Sequence, residues 1–255
     1  MQAHERISCL VSHCVDGKDV VKVALIVGAG PGLGGAVARR FALDGYYVCV
    51  ARRKAESLQR LVQEIESSGG QAKAFGCDAR KEDQVKHMVD TIESSIGAIS
   101  FFCFNVGANV RFEVVDTTER VFRKVWEMAC LAGFLCCREV AAYMKSRGKG
   151  TIIVTGATAS LRGAAGYAAF GSAKAALRSF SQTLAREMAP LGIHVCHTII
   201  DGAIDTPWVR KMWKDATEDD LMRPDAIADI YHSLHQQKRS AWSNEIDIRP
   251  YAEKW

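Results

Sequence analysis

The sequence predicts a doubly wound α/β domain: one parallel sheet of about seven strands with helices on both faces. Three observations predict it. Short β-rich apolar runs alternate with helix-periodic segments from about residue 22 to 250. The run ISFFCFN at 99–105 is apolar throughout, as a strand covered on both faces must be. No linker, repeat or low-complexity stretch interrupts the alternation over 255 residues, a length that suits one large domain.

Each element follows from its own residues. KVALIVG at 22–28 reads as the first strand, and 32–44 behind it as a helix. YYVCVA (46–51) is the second strand; 54–68 has leucine and isoleucine at helical spacing. AKAFGC (72–77) is a short third strand, followed by a helix over 82–95. The fourth strand, 99–105, leads to one long helix over 118–147. GTIIVTG (150–156) is a strand before a helix over 165–189, and IHVCHTII (193–200) is the sixth. A short helical region begins near Thr206, a helix covers 224–235, and NEIDIRP (244–250) closes the sheet. Residues 1–21 form an N-terminal extension without an assigned role, and 22–255 the domain.

Composition excludes several classes. Hydrophobic residues make up 48% and charged residues 24%, as in an ordinary globular protein. The net charge of +4 is mild and its cations are scattered, so nucleic acid is not an expected partner. There is no run of 18 apolar residues to cross a membrane, and the start lacks the apolar stretch of a secretory signal. The nine cysteines show no zinc-type double CxxC. They read as buried apolar thiols of a cytoplasmic protein, with no metal site.

The glycine-rich turn carries the first chemistry. LIVGAGPGLGG follows a strand and opens a helix. Gly28, Gly30, Pro31, Gly32, Leu33 and Gly34 form a tight turn whose free N–H groups and helix dipole suit a pyrophosphate. The bland alternative is a helix–sheet turn that merely needs small residues. At the end of the second strand, a site preferring NAD usually carries a carboxylate for the ribose. Here Ala51 is followed by Arg52, Arg53 and Lys54. Arg52 and Arg53 suit a 2′-phosphate, and so favour NADPH over NADH. Otherwise they begin a solvated helix, although cations there oppose the helix dipole. In AAFGSAKAAL (168–177), Phe170 and Lys174 lie one turn apart on the same helix face.

Taken together, the spacing of Gly28, Gly32 and Gly34, CDAR at 77–80, FNVG at 104–107 and the lysine of FGSAKAAL resemble the short-chain dehydrogenase/reductase family. The resemblance spans about residues 22 to 250. It implies a Rossmann fold, a nicotinamide cofactor, a small-molecule substrate and a homodimer or homotetramer built on the two longest helices. By position, it implies that Asp78 accepts from the adenine amino group and Ala79 lines the adenine pocket. Asn105, Val106 and Gly107 would flank the adenine ribose, and Lys174 would bind the nicotinamide ribose. The segment holding Gly202, Ala203 and Thr206 would contact the carboxamide. Asp201 replaces a usual proline there, and Val27 a usual threonine.

The catalytic positions depart from the family. Phe170 stands where the family has its proton-donating tyrosine, Ala157 where it has a serine, and Cys130 where it has an asparagine on the long helix. Only Lys174 is retained. Four groups offer substitutes, each with a plain alternative. Tyr167 leans over the cleft, or is a packing or lid residue. Thr158, with Ser160 nearby, turns its hydroxyl toward the substrate, or caps backbone. Asp201 serves as an acid if burial raises its pKa, or only forms an Asp-Gly turn. Arg162 holds an anionic substrate, or is solvated. Two functions follow: an NADP(H)-dependent oxidoreductase with an altered acid, or a dinucleotide-binding sensor or scaffold without turnover. The C-terminal segment is expected at an oligomer interface or against the substrate loop 206–222, where Trp208 and Trp213 are candidate lid residues.

Overall fold

In the computed structural model, which describes residues 21–252, the first strand β1 (Lys22–Val27) is the centre of the fold. Its five residues after Lys22 are all buried, because both of its faces are covered. The chain runs β1, α1 (Leu33–Leu43), β2 (Tyr47–Arg52), α2 (Gln59–Ser67), β3 (Gln71–Gly76), α3 (Glu82–Ser95) and β4 (Ala98–Phe104). Then come α4 (Glu119–Trp126), α5 (Ala132–Arg147), β5 (Gly150–Thr155), α6 (Ala168–Met188), β6 (Ile193–Ile200), α7 (Pro207–Met212), α8 (Pro224–His235) and β7 (Glu245–Ile248). The expected extension at 1–21 lies, but for Val21, outside the described residues.

All seven strands pair in parallel, in the order β3-β2-β1-β4-β5-β6-β7. The order reverses between β1 and β4, which opens a crevice at the carboxyl edge. Val27 pairs with both Ala51 and Phe104, so β1, β2 and β4 end level with one another. Strand alternation sorts the core into two layers. Val23, Leu25, Phe102, Phe104 and Val154 face α3, α5 and α6. Ala24, Ile26, Phe101, Cys103 and Ile153 face α1, α2 and α8. Each fully buried Leu, Ile or Phe among them contributes about 1.5–3 kcal/mol. A third, smaller cluster lies at the carboxyl edge and includes Ala108, Val125, Cys130, Phe170 and Ala173.

The helix expected over 118–147 is divided. A π turn at Glu127–Leu131 separates α4 from α5. Thr118 caps the start by accepting from the Val121 N–H, and Gly148 ends the segment in the left-handed region at φ 64°. The π turn lodges one extra residue per turn and rotates the helix beyond it, a feature frequent at functional sites. Among the described residues no helix is long and apolar enough to cross a membrane, and no cluster of three metal-ligating side chains is present. The seven described cysteines are free and buried.

Candidate active site

The glycine turn is dictated by close backbone approach. Gly28 has φ +92°, and a Cβ there would lie 2.5 Å from the Asn105 carbonyl oxygen. A Cβ on Gly34 would lie 2.7 Å from the Gly28 carbonyl oxygen, and one on Gly35 would strike that of Gly30. Asn105 clamps the turn by donating Nδ2–H to the Gly28 carbonyl at 3.2 Å and its own N–H to that of Val27 at 2.8 Å. Gly32 caps α1 without a side-chain hydrogen bond, and no acid stands in the first turn. The leading N–H groups are thus left for an anion. Pro31 is exposed at the tip, whereas Leu33 turns its side chain into the core.

Beside this turn is a cavity of about 280 Å³. Of the residues expected from the sequence to bind a cofactor, Gly28, Gly30, Arg52, Arg53, Asp78, Ala79, Asn105, Val106 and Gly107 line it. Pro31, Gly32, Leu33, Gly34, Lys174, Gly202, Ala203 and Thr206 do not. Thr206 still approaches the turn: its methyl lies 3.3 Å from where a Gly32 Cβ would stand, and its Oγ1 accepts from the Val209 N–H to cap α7. The Ala203 carbonyl accepts from the Met222 N–H at 2.8 Å, and a Cβ on Gly202 would meet Pro250 at 2.6 Å.

Sequence reasoning missed Arg80, Met128 and Ala132 in the lining. Arg80 donates from Nε and Nη2 to both carboxylate oxygens of Asp78, at 2.8 and 2.6 Å. That bidentate contact holds the Asp78 carboxyl below the usual range. CDAR contains the signal: an arginine two residues beyond the aspartate. Met128 and Ala132 gave none, because the π turn sets their direction.

The opposite end of the cleft is centred on Lys174. It is buried on α6, and its Nζ donates to the Thr155 carbonyl at 2.8 Å and the Val106 carbonyl at 3.4 Å. Burial lowers its pKa to about 8. Phe170 is buried with its ring centroid 5.9 Å from Nζ. Cys130, also buried, completes an apolar floor with Ala129 and Ala169, and burial raises its thiol pKa. The Ala157 N–H donates to Ser160 Oγ at 3.1 Å, which contacts His197 Nε2 at 3.3 Å. Burial first, then Lys174, lowers His197 to about 4, so it is neutral.

The four candidate substitutes fall into two places. Thr158 donates Oγ1–H to Asp201 Oδ1 at 2.6 Å. Asp201 is buried; Arg162 reaches its Oδ1 at 3.5 Å and Arg249 its Oδ2 at 3.3 Å. Asp201 thereby ties the β5 exit loop to the ends of β6 and β7. Tyr167 caps α6 and packs half-buried on the floor; among the described residues its hydroxyl has no hydrogen-bond partner. Its backbone bridges Phe112. Trp208 and Trp213 are exposed. Tyr251 donates to Asp219 at 3.0 Å, which packs the C-terminal segment against loop 206–222.

A parallel sheet with a glycine turn at its switch point and a buried lysine across the cleft defines a dinucleotide-binding type of α/β protein. The chain belongs to the short chain dehydrogenase family, whose profile matches residues 22–217, and so to an oxidoreductase family. Dehydrogenase/reductase SDR family member 4 of Homo sapiens is 30% identical over 203 residues, 79% of this chain and 73% of that protein. A short-chain dehydrogenase from Rhodopseudomonas palustris is 45% identical, with a TM-score of 0.80 over 91% of this chain and 100% of that one. A metagenomic short-chain oxidoreductase solved with NADP shares the fold: TM-score 0.77 at 23% identity, over 91% and 98% of the chains.

Proposed function

We propose that the protein is an NADP(H)-dependent oxidoreductase whose substrate does not need the family's tyrosine. The observation that carries this reading is Lys174, buried and oriented by Thr155, facing a floor where Phe170 and Cys130 supply no acid. The glycine cradle fits a pyrophosphate, because its close backbone turn opens α1 with no side-chain cap and no acid in the first turn, which leaves N–H groups for an anion. Arg52 and Arg53, with Arg80 beside them, suit a 2′-phosphate better than free ribose hydroxyls. The metagenomic relative solved with NADP supports that choice. Asp78, Ala79, Asn105, Val106 and Gly107 would enclose the adenosine half. Lys174, Gly202, Ala203 and Thr206 would hold the nicotinamide half. The cofactor supplies a hydride.

The residues of this chain decide what accepts it. Reduction of a ketone builds charge on oxygen that an acid must meet. Phe170 donates no proton, and Ala157 gives no hydroxyl hydrogen bond. Thr158 keeps its proton directed at Asp201, and Tyr167 is the free phenol nearest in sequence. Conjugated enones, enoyl thioesters and iminium compounds fit best, because their reacting carbon needs little help from an acid. Such a small-molecule substrate, a homo-oligomeric assembly and a cytoplasmic setting belong to this reading. Stopped-flow mixing of the NADPH-loaded protein with ketones, enones and iminium salts tests it. Turnover of the last two and not of ketones is expected. Calorimetry should give tighter binding of NADPH than of NADH, with Arg52→Ala plus Arg53→Ala removing about tenfold or more of that preference.

A second reading rests on the same apolar floor: a dinucleotide-binding sensor or scaffold. Binding of NADPH without turnover of any acceptor favours it.

A further inference from the structure

We propose that the substrate is an amphipathic anion, with an acidic head held by Arg162 and Arg111 and a bulky apolar body between the two loops that flank the cleft. The inference rests on the cleft being the active site. Its first observation is a set of exposed apolar side chains on the two loops that flank the cleft. Phe112, Val114 and Val115 stand on one loop, with Val115 89% exposed. Trp208, Met212 and Trp213 stand on the other, with Trp208 60% exposed. Large side chains of this kind are costly to leave in water as a group, and they mark a surface that an apolar partner covers. The cleft floor behind them, formed by Phe170, Cys130 and Ala169, is apolar as well.

The second observation is charge. The segment 157–167 leads from the Ala157 position to α6. Arg111 packs on its far end: a Cβ on Gly166 would meet Arg111 Cγ at 2.8 Å and Nε at 3.1 Å. Among the described residues Arg111 makes no ion pair. Arg162 lies within the segment, and its side chain is 52% exposed. Its contact to Asp201 is long, 3.5 Å, and that same carboxylate also faces Arg249. Arg162 can therefore turn to an incoming carboxylate or phosphate without stranding Asp201, which keeps Thr158 and Arg249. Glu113 and Asp116 are the acids on the first loop; both are exposed, so water screens them. A neutral apolar substrate would leave Arg111 unused, and a small polar anion would leave the aromatic rim uncovered.

The test uses three probes on the NADPH-loaded protein: decanoate below its micelle concentration, decanol and acetate. NADPH binding is measured first, by its fluorescence. Calorimetry should then give decanoate at least about tenfold tighter than decanol, with no acetate binding in the same range. Arg162→Gln and Arg111→Gln should each remove about fivefold or more of the decanoate preference while NADPH binds as before, which also shows that the variants fold. Equal affinity for decanoate and decanol overturns the proposal. So does a decanoate preference that survives both substitutions, or NADPH binding with none of the probes bound. Loss of NADPH binding by the unaltered protein overturns the proposed function instead.

Discussion

Lys174 is a cation set where water cannot reach it. Burial lowers its pKa from 10.5 to about 8, so between those values the unfolded chain binds more protons at this site than the folded one. Stability therefore carries the full burial cost below about pH 8 and recovers it as pH climbs toward 10.5. In urea unfolding of the cofactor-free protein, Lys174→Met should be the more stable form at about pH 7.5, by up to a few kcal/mol, and that advantage should shrink by about pH 10. A gap that does not change with pH contradicts the assigned environment. Its neighbour supplies a gain-of-function experiment. Phe170→Tyr puts a phenol one turn from Lys174, whose positive charge favours the phenolate. Combined with Ala157→Ser, it should raise kcat/KM for simple ketones by about 10²–10⁴. Unchanged ketone reduction in the double variant would mean that the cleft does not seat a carbonyl there.

The elements around the cleft hold their positions through backbone approach more than through side-chain bonds. Strand β1 and helix α1 meet at Gly28, where the φ of +92° and the Asn105 carbonyl at 2.5 Å leave no room for a Cβ. Gly28→Ala should cost more than about 2 kcal/mol in chemical unfolding and abolish dinucleotide binding. Asn105→Ala removes only the clamp from the end of β4 to that turn. It should cost about 0.5–1.5 kcal/mol and weaken NADPH more than it weakens the fold. Of the other elements, the helix after β4 was only partly legible. Apolar spacing either side of residues 127–131 suits one continuous helix, since a single inserted residue leaves both flanking periods intact. Its effect is seen only in three dimensions, where Met128 and Ala132 reach the cavity beside the glycine turn.

At the scale of the whole molecule, one side of the helical layer is unfinished. Phe122, Trp126 and Phe134 form an exposed apolar row on α4 and α5, and Phe134 makes an edge-on ring contact with Phe180 of α6 at 5.5 Å. This row lies on one of the two longest helical segments, 119–147, and touches the other, α6, through Phe180; a second copy of the chain is expected to dock there. Light scattering after size exclusion should give a homodimer or homotetramer, and Phe134→Glu should shift it toward monomer. A monomeric unaltered protein at micromolar concentration would contradict this.

By itself the sequence determined the alternation of strands and helices, the sheet's parallel character, the glycine turn after β1, and the absence of tyrosine, serine and asparagine at 170, 157 and 130. Those are local facts: period, glycine spacing, and which residue occupies a position. Only the tertiary structure decided what the substitutes do. Thr158 and Asp201, 43 residues apart, meet at 2.6 Å. Arg80 covers the Asp78 carboxylate, and Phe170 and Cys130 close over Lys174 as one apolar floor. Hydrogen bonds, burial and the pKa shifts they cause depend on which distant segments share a volume, and chain order does not contain that volume until the sheet has brought its strand ends level.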